Sequence, residues 1–150
     1  MKKIILSLVF LGVVTLLSSF VNPILDEEYS LTITVDNLQN SDGVVQFTIY
    51  NKDGTIPDEH YENYYLQRTS EILNNSSVIT FENLPQGTYA INILHDEDEN
   101  GEIKKGWILP VEGIGFSNFE SIGLMNRPNF SKASFELNCD LTRTITIVYM

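Results

Sequence analysis

The sequence predicts an all-β fold, a Greek-key β-sandwich of about seven strands. Three observations carry that prediction. Apolar and polar residues alternate with period two along several short runs, as in strands with one buried face. Turn residues (Asn, Asp, Gly, Pro, Ser) punctuate those runs. No amphipathic stretch longer than two or three helical turns occurs anywhere. The chain has 150 residues, 43% hydrophobic and 11% aromatic, enough for one core and too aromatic for a disordered segment.

The elements follow in order. Met1-Lys2-Lys3 is a positive start, Ile4 to Leu17 an apolar run, and Ser18-Ser19 a small-residue end. This layout predicts a signal peptide over residues 1–19 and a mature chain in an exported, periplasmic or extracellular place. The apolar run falls short of the ~20 residues that span a bilayer. No integral membrane span is therefore expected after cleavage. Residues 20–30 read as an acidic, Pro-containing tether, and 31–150 as one domain. Leu31 to Val35 and Val45 to Tyr50 alternate cleanly, and Asn40-Ser41-Asp42-Gly43 between them predicts a hairpin. Pro57 to Tyr65, with Tyr61, Tyr64 and Tyr65, predicts a short helix with an aromatic side, which docks on the sandwich or stacks on a sugar ring. Leu66 to Leu73 reads as an irregular strand and Val78 to Phe81 as another. Leu84-Pro85-Gln86-Gly87 is a turn, and Thr88 to Leu94 is the strongest strand, with Tyr89, Ile91 and Ile93 on one face. His95 to Lys132 is a long connection. Ala133 to Leu137 and Thr144 to Tyr149 close the chain as strands.

Charge limits the partners. There are 9 basic and 20 acidic residues, a net charge of −11, and loss of Lys2 and Lys3 takes it to −13 (7 basic against 20 acidic). Nucleic acid needs basic clusters to displace phosphate counterions, and the longest one here is Lys104-Lys105. No nucleic-acid partner is expected; an unidentified protein or neutral ligand remains. The single Cys139 allows no internal disulfide, and it sits in a polar turn with no His nearby in sequence.

The order of segments resembles a known family. Gly43-Val44-Val45-Gln46-Phe47-Thr48-Ile49-Tyr50 is followed by Thr80-Phe81-Glu82-Asn83-Leu84-Pro85-Gln86-Gly87-Thr88-Tyr89-Ala90. His95-Asp96-Glu97-Asp98-Glu99-Asn100-Gly101, Gly113 to Asn118, Arg127-Pro128-Asn129-Phe130 and Ala133-Ser134-Phe135 come next. This set, over Leu31 to Tyr149, resembles the bacterial exported family catalogued as domain of unknown function 2141. The resemblance implies a transthyretin-like sandwich and no assigned activity. After Asn100-Gly101 the family commonly has Lys-Leu-Asp, whereas here Glu102-Ile103-Lys104 stands.

The acidic loop is the candidate site. Asp96, Asp98 and Asn100 occupy alternate positions before Gly101, as in the first half of a calcium loop, where alternate oxygens point to one centre and Gly permits the bend. Glu102 offers its backbone carbonyl as the next ligand. Position twelve is Trp107, so the usual bidentate Glu is absent, and Glu97, Glu99 or Glu112 completes the set only if the loop folds back. No cofactor is fixed by the sequence; the one this loop pattern allows is calcium, held weakly, in the millimolar range. Against it stands a plain acidic turn built on Asn100-Gly101.

His95 reads as a semi-buried loop anchor rather than a base, because no nucleophile or orienting partner stands near it. Gly113 to Asn118 lacks the third Gly of a dinucleotide fingerprint, and Ser117 lacks the second flanking Gly of a nucleophile elbow. It reads as a loop crossing close over the sandwich, with Phe116 and Phe119 as plugs or, together with Trp107 and Phe130, as one wall of a ligand cleft. The expected function is a non-catalytic binding or envelope-associated module. The alternatives are a small hydrolase with a cleft near His95 and an adhesive protein acting through sheet edges.

Overall fold

The computed structural model describes residues 27–103 and 112–150. The expected signal peptide, the tether as far as residue 26, Lys104-Lys105 and Trp107 lie outside the described residues. Among the described residues there are eight strands and one single-turn helix. In chain order they are β1 (Glu28–Val35), β2 (Val44–Tyr50), β3 (Leu66–Glu71), β4 (Ser77–Pro85), β5 (Gly87–Asp96), β6 (Gly113–Phe116), α1 (Phe130–Ala133), β7 (Phe135–Leu137) and β8 (Leu141–Ile145). No helix among them is long and apolar enough to cross a membrane.

The strands form two sheets. The smaller has the order β4-β1-β8; the larger runs β3-β2-β5-β6, with β7 pairing β5 beside β6. The alternation of the sequence sets what lies between them. Leu31, Ile33 and Val35 of β1 meet Val45, Phe47 and Ile49 of β2 and Tyr89, Ile91 and Ile93 of β5 in one core. These are the residues whose period-two spacing predicted a buried face.

Several expectations are corrected. β1 and β2 do not form a hairpin: β1 pairs with β4 and β8, and β2 with β3 and β5, so residues 36–43 cross between sheets. Pro57 to Tyr65 is not helical. Tyr61 has φ of +51°, and the Asp58 carboxylate accepts the backbone N–H groups of Glu62 and Asn63 in a compact turn. The helix is α1 instead, capped by Asn129, whose side chain accepts from the Lys132 N–H. The last strand lies at Leu141–Ile145 rather than over 144–149, and β1 takes its first residues from the stretch read as tether.

The larger sheet is covered on its second face too. Tyr50, Ile56, Tyr61, Ala90, Leu94, Ile114, Phe116, Phe119, Phe130 and Ala133 form a second core there, under the 51–65 and 117–133 segments. The long connections therefore fold back over the sheet, and polar residues on that face of β2 and β5 are enclosed.

One edge is closed by the chain end. β8 runs parallel to β1, with Thr34 opposite Thr144, in the small sheet. The chain then moves across, and Val148 exchanges both backbone hydrogen bonds with Ile114 of β6 in the large sheet (3.0 and 2.8 Å). Gly113–Phe116 is thus a strand, not a crossing loop. Its Gly115 is required by contact, since a Cβ there would lie 2.6 Å from the Thr146 carbonyl oxygen and 3.0 Å from Ile145 Cγ2.

Candidate functional site

Antiparallel pairing of β5 with β6 builds the site. His95 stands opposite Gly113, so Asp96 and Glu112 come side by side one step beyond that pair. The loop after β5 then turns Asp98 back toward them. Carboxylate oxygens of Asp96, Asp98 and Glu112 all lie within 4.8 Å of one another. Asp96 is 2% and Glu112 1% exposed, whereas Asp98 faces solvent.

Local hydrogen bonding explains the loop shape. Asp96 Oδ1 accepts the Asn100 N–H at 3.1 Å, and Oδ2 accepts the Gly101 N–H at 2.8 Å. Asn100 Oδ1 in turn accepts the Glu102 N–H at 2.7 Å. Glu99 and Gly101 both take positive φ, +55° and +75°, which coils the segment tightly. From below, the Asp42-Gly43 turn presses on the Asp96 carbonyl; a Cβ at residue 43, where φ is +66°, would run into that oxygen.

Of the residues singled out in the sequence, Asp96 and Asp98 are brought together. Asn100 uses its side-chain oxygen to fasten the loop, and the Glu102 side chain is exposed and outside the carboxylate group. Glu112 joins because the pairing of β6 with β5 sets it beside Asp96. Glu97 points the other way, accepting from Gln39 Nε2 at 2.7 Å and Asn40 Nδ2 at 2.8 Å. An all-oxygen donor set with two dry carboxylates suits a hard cation such as calcium better than zinc, which takes nitrogen and sulfur. Carboxylates held this close repel one another, and a divalent cation relieves that repulsion.

His95 is fully buried. Its Nε2 is 3.0 Å from the Asp42 carbonyl oxygen, which can only accept, so that nitrogen carries the proton. Nδ1 then accepts from the Tyr149 hydroxyl at 2.8 Å, and the same hydroxyl oxygen accepts the Gln39 N–H at 3.2 Å. The ring thereby ties the 36–43 crossing and the chain end to β5. Burial raises the Tyr149 pKa.

Of the three tyrosines, Tyr61 is buried while Tyr64 and Tyr65 are 42% and 39% exposed. Phe116, Phe119 and Phe130 are all in the second core, as plugs. Cys139 is exposed. Sequence reasoning missed the polar side chains enclosed beneath the acidic loop, Gln46, Asn92 and Asp58, at 3%, 1% and 6% exposure. Polar residues at alternate strand positions normally face water; the only signal otherwise was the length of the connections that had to pack somewhere.

No curated protein and no solved structure matches the chain. A family model described as an uncharacterized protein conserved in bacteria (DUF2141) matches residues 33–145, from within β1 to the end of β8. The match takes in both sheets, the acidic loop and Glu112, and the chain belongs to that family.

Proposed function

We propose that the chain is an exported, non-catalytic binding module whose β5–β6 loop is stabilised by a calcium ion. The observation that carries the ion is the convergence of Asp96 at the end of β5, Asp98 in the loop after it and Glu112 just before β6 onto one point. Calcium takes six to eight oxygens in flexible geometry, so three carboxylates with water completing the shell suit a weak site. The partner class is a protein or neutral ligand, as the net charge of −11 disfavours polyanions. A non-catalytic role is favoured over a hydrolase because both ring nitrogens of His95 are spent on structural hydrogen bonds. We read the sandwich as transthyretin-like, on the Leu84-Pro85-Gln86-Gly87-Thr88-Tyr89 segment carrying the chain from the smaller sheet to the larger.

Thermal unfolding in EDTA, calcium and magnesium tests the ion. A ligand at ten times its dissociation constant stabilises by about 1.4 kcal/mol. Calcium should raise the midpoint more than equal magnesium does, and Asp96→Ala with Asp98→Ala should abolish the increment. An unchanged wild-type midpoint in calcium overturns the ion site.

A further inference from the structure

The face of the large sheet beneath the acidic loop holds a second polar group. Gln46 of β2 stands opposite Leu94 of β5, so its diagonal neighbours on that face are Asn92 and Asp96. Tyr61 reaches over them from the 56–63 loop. Its hydroxyl lies beside both amides and within the field of Asp58 and Asp96; burial pushes its pKa up, and the two amides oppose that rise. Gln46, Asn92 and Tyr61 are 3%, 1% and 7% exposed. Yet Gln46 Nε2, Asn92 Oδ1 and Tyr61 Oη make no hydrogen bond with any other protein group.

Such atoms are costly when left bare, at about 1–3 kcal/mol each. Here they are complementary: the amide nitrogen donates, the amide oxygen accepts, and the hydroxyl does either. The three side chains are neighbours on that face, with both amides beside the Tyr61 hydroxyl. A buried water needs two to four polar partners, and these three supply them. Gln46 also extends to the calcium-loop turn, its Oε1 3.8 Å from where a Cβ at Gly101 would lie. Gly101 is the residue whose N–H is held by Asp96. At the far end, Asp58 accepts from the Tyr50 hydroxyl at 3.3 Å and fastens the 58–63 turn.

We propose that the acidic site continues inward into a buried, water-holding pocket formed by Gln46, Asn92 and Tyr61, which ties a cation bound at Asp96, Asp98 and Glu112 to the 56–63 loop. The inference rests on the calcium reading above. A cation draws the Asp96 carboxylate and the turn at Gly101 into one arrangement. Gln46 and the enclosed water then hold the Tyr61 hydroxyl, and with it the loop that presents Tyr64 and Tyr65 to solvent. Ion occupancy thereby sets the order of an exposed aromatic surface on a different connection from the one that binds the ion.

The test uses protein purified after expression of the full chain. Calcium binding is measured by titration calorimetry, and amide hydrogen exchange of residues 56–63 is followed with and without calcium. The expected result is binding accompanied by slower exchange at Glu62 and Asn63. Tyr61→Phe keeps the ring and removes the hydroxyl. It should weaken calcium binding about three- to tenfold, the worth of one buried hydrogen bond, and erase the calcium effect on the loop. Binding in the wild type with unchanged exchange over 56–63 overturns the coupling and leaves the ion site standing. No binding heat in the wild type, with an unchanged unfolding midpoint, overturns both. Wild-type affinity and loop response in a folded Tyr61→Phe variant also overturn the coupling.

Discussion

Replacing Gly115 with Ala is a direct measure of how tightly the chain end closes the sandwich. The added Cβ would stand 2.6 Å from the Thr146 carbonyl oxygen and 3.0 Å from Ile145 Cγ2. The first is backbone, fixed by the β1–β8 pairing that precedes it and the Val148–Ile114 bridge that follows. Relief requires the two sheets to part by about half an ångström or more at that edge. Overpacking of this kind costs about 3 kcal/mol at the upper end of its usual range. The reduced freedom of the unfolded chain returns about 1 kcal/mol. The net expectation is a destabilisation of about 2 kcal/mol, which lowers a urea midpoint by about 1 M at an ordinary slope. Urea unfolding followed by circular dichroism reads it. Gly123→Ala is the control, because nothing lies within 4 Å of a Cβ there; its effect should stay within about 0.5 kcal/mol. A Gly115→Ala variant as stable as the control refutes the close-contact account of β6.

Two further outcomes follow from the side-chain hydrogen bonds. Tyr149→Phe removes the one donor to His95 Nδ1, leaving a buried acceptor bare. It should cost about 1–3 kcal/mol by urea unfolding, with a changed Nδ1 nitrogen shift in NMR; an unchanged shift would show that the hydroxyl does not donate. The second concerns alkaline pH. Burial first, and then the Asp58 carboxylate, raise the Tyr50 pKa, and burial raises that of Tyr61. Above pH about 10 the unfolded chain loses these protons while the folded chain keeps them, so stability falls as pH rises by about 1.4 kcal/mol per unit for each tyrosine. Tyr50→Phe should make that fall shallower between pH 10 and 11; an unchanged slope in urea midpoints would count against a buried, un-ionised Tyr50.

β1, β2 and β5 were legible because one face of each is packed in a single core. Leu31, Ile33 and Val35 could be assigned to a buried face before any neighbour was known. Pairing was less legible. Asn40 to Gly43 has hairpin chemistry, but it turns the chain from one sheet to the other, since sequence neighbours pair by default only when nothing else competes. Over Pro57 to Tyr65 the acidic and aromatic spacing looked helical, but Asp58 satisfies the backbone N–H groups locally and so competes with a helix. At the site, alternate spacing placed Asp96 and Asp98 together. The register of β5 on β6 added Glu112, and no local rule fixes a register across so long a connection. Gln46 and Asn92 were illegible for a similar reason: their covering comes from loops distant in sequence.

The parallel pairing of β8 with β1 joins the last strand to the first, with Thr34 opposite Thr144. β1 is the middle strand of its sheet and remains half-paired until Leu141 to Ile145 is available. On a growing chain the core of the smaller sheet therefore cannot be sealed before Leu141 to Ile145 has been made. Closing so large a loop before its contacts are gained makes folding slow, on the scale of milliseconds to seconds for such topologies. A nascent chain of this design stays open until residues 141–145 have been made, a property compatible with the exported route proposed above.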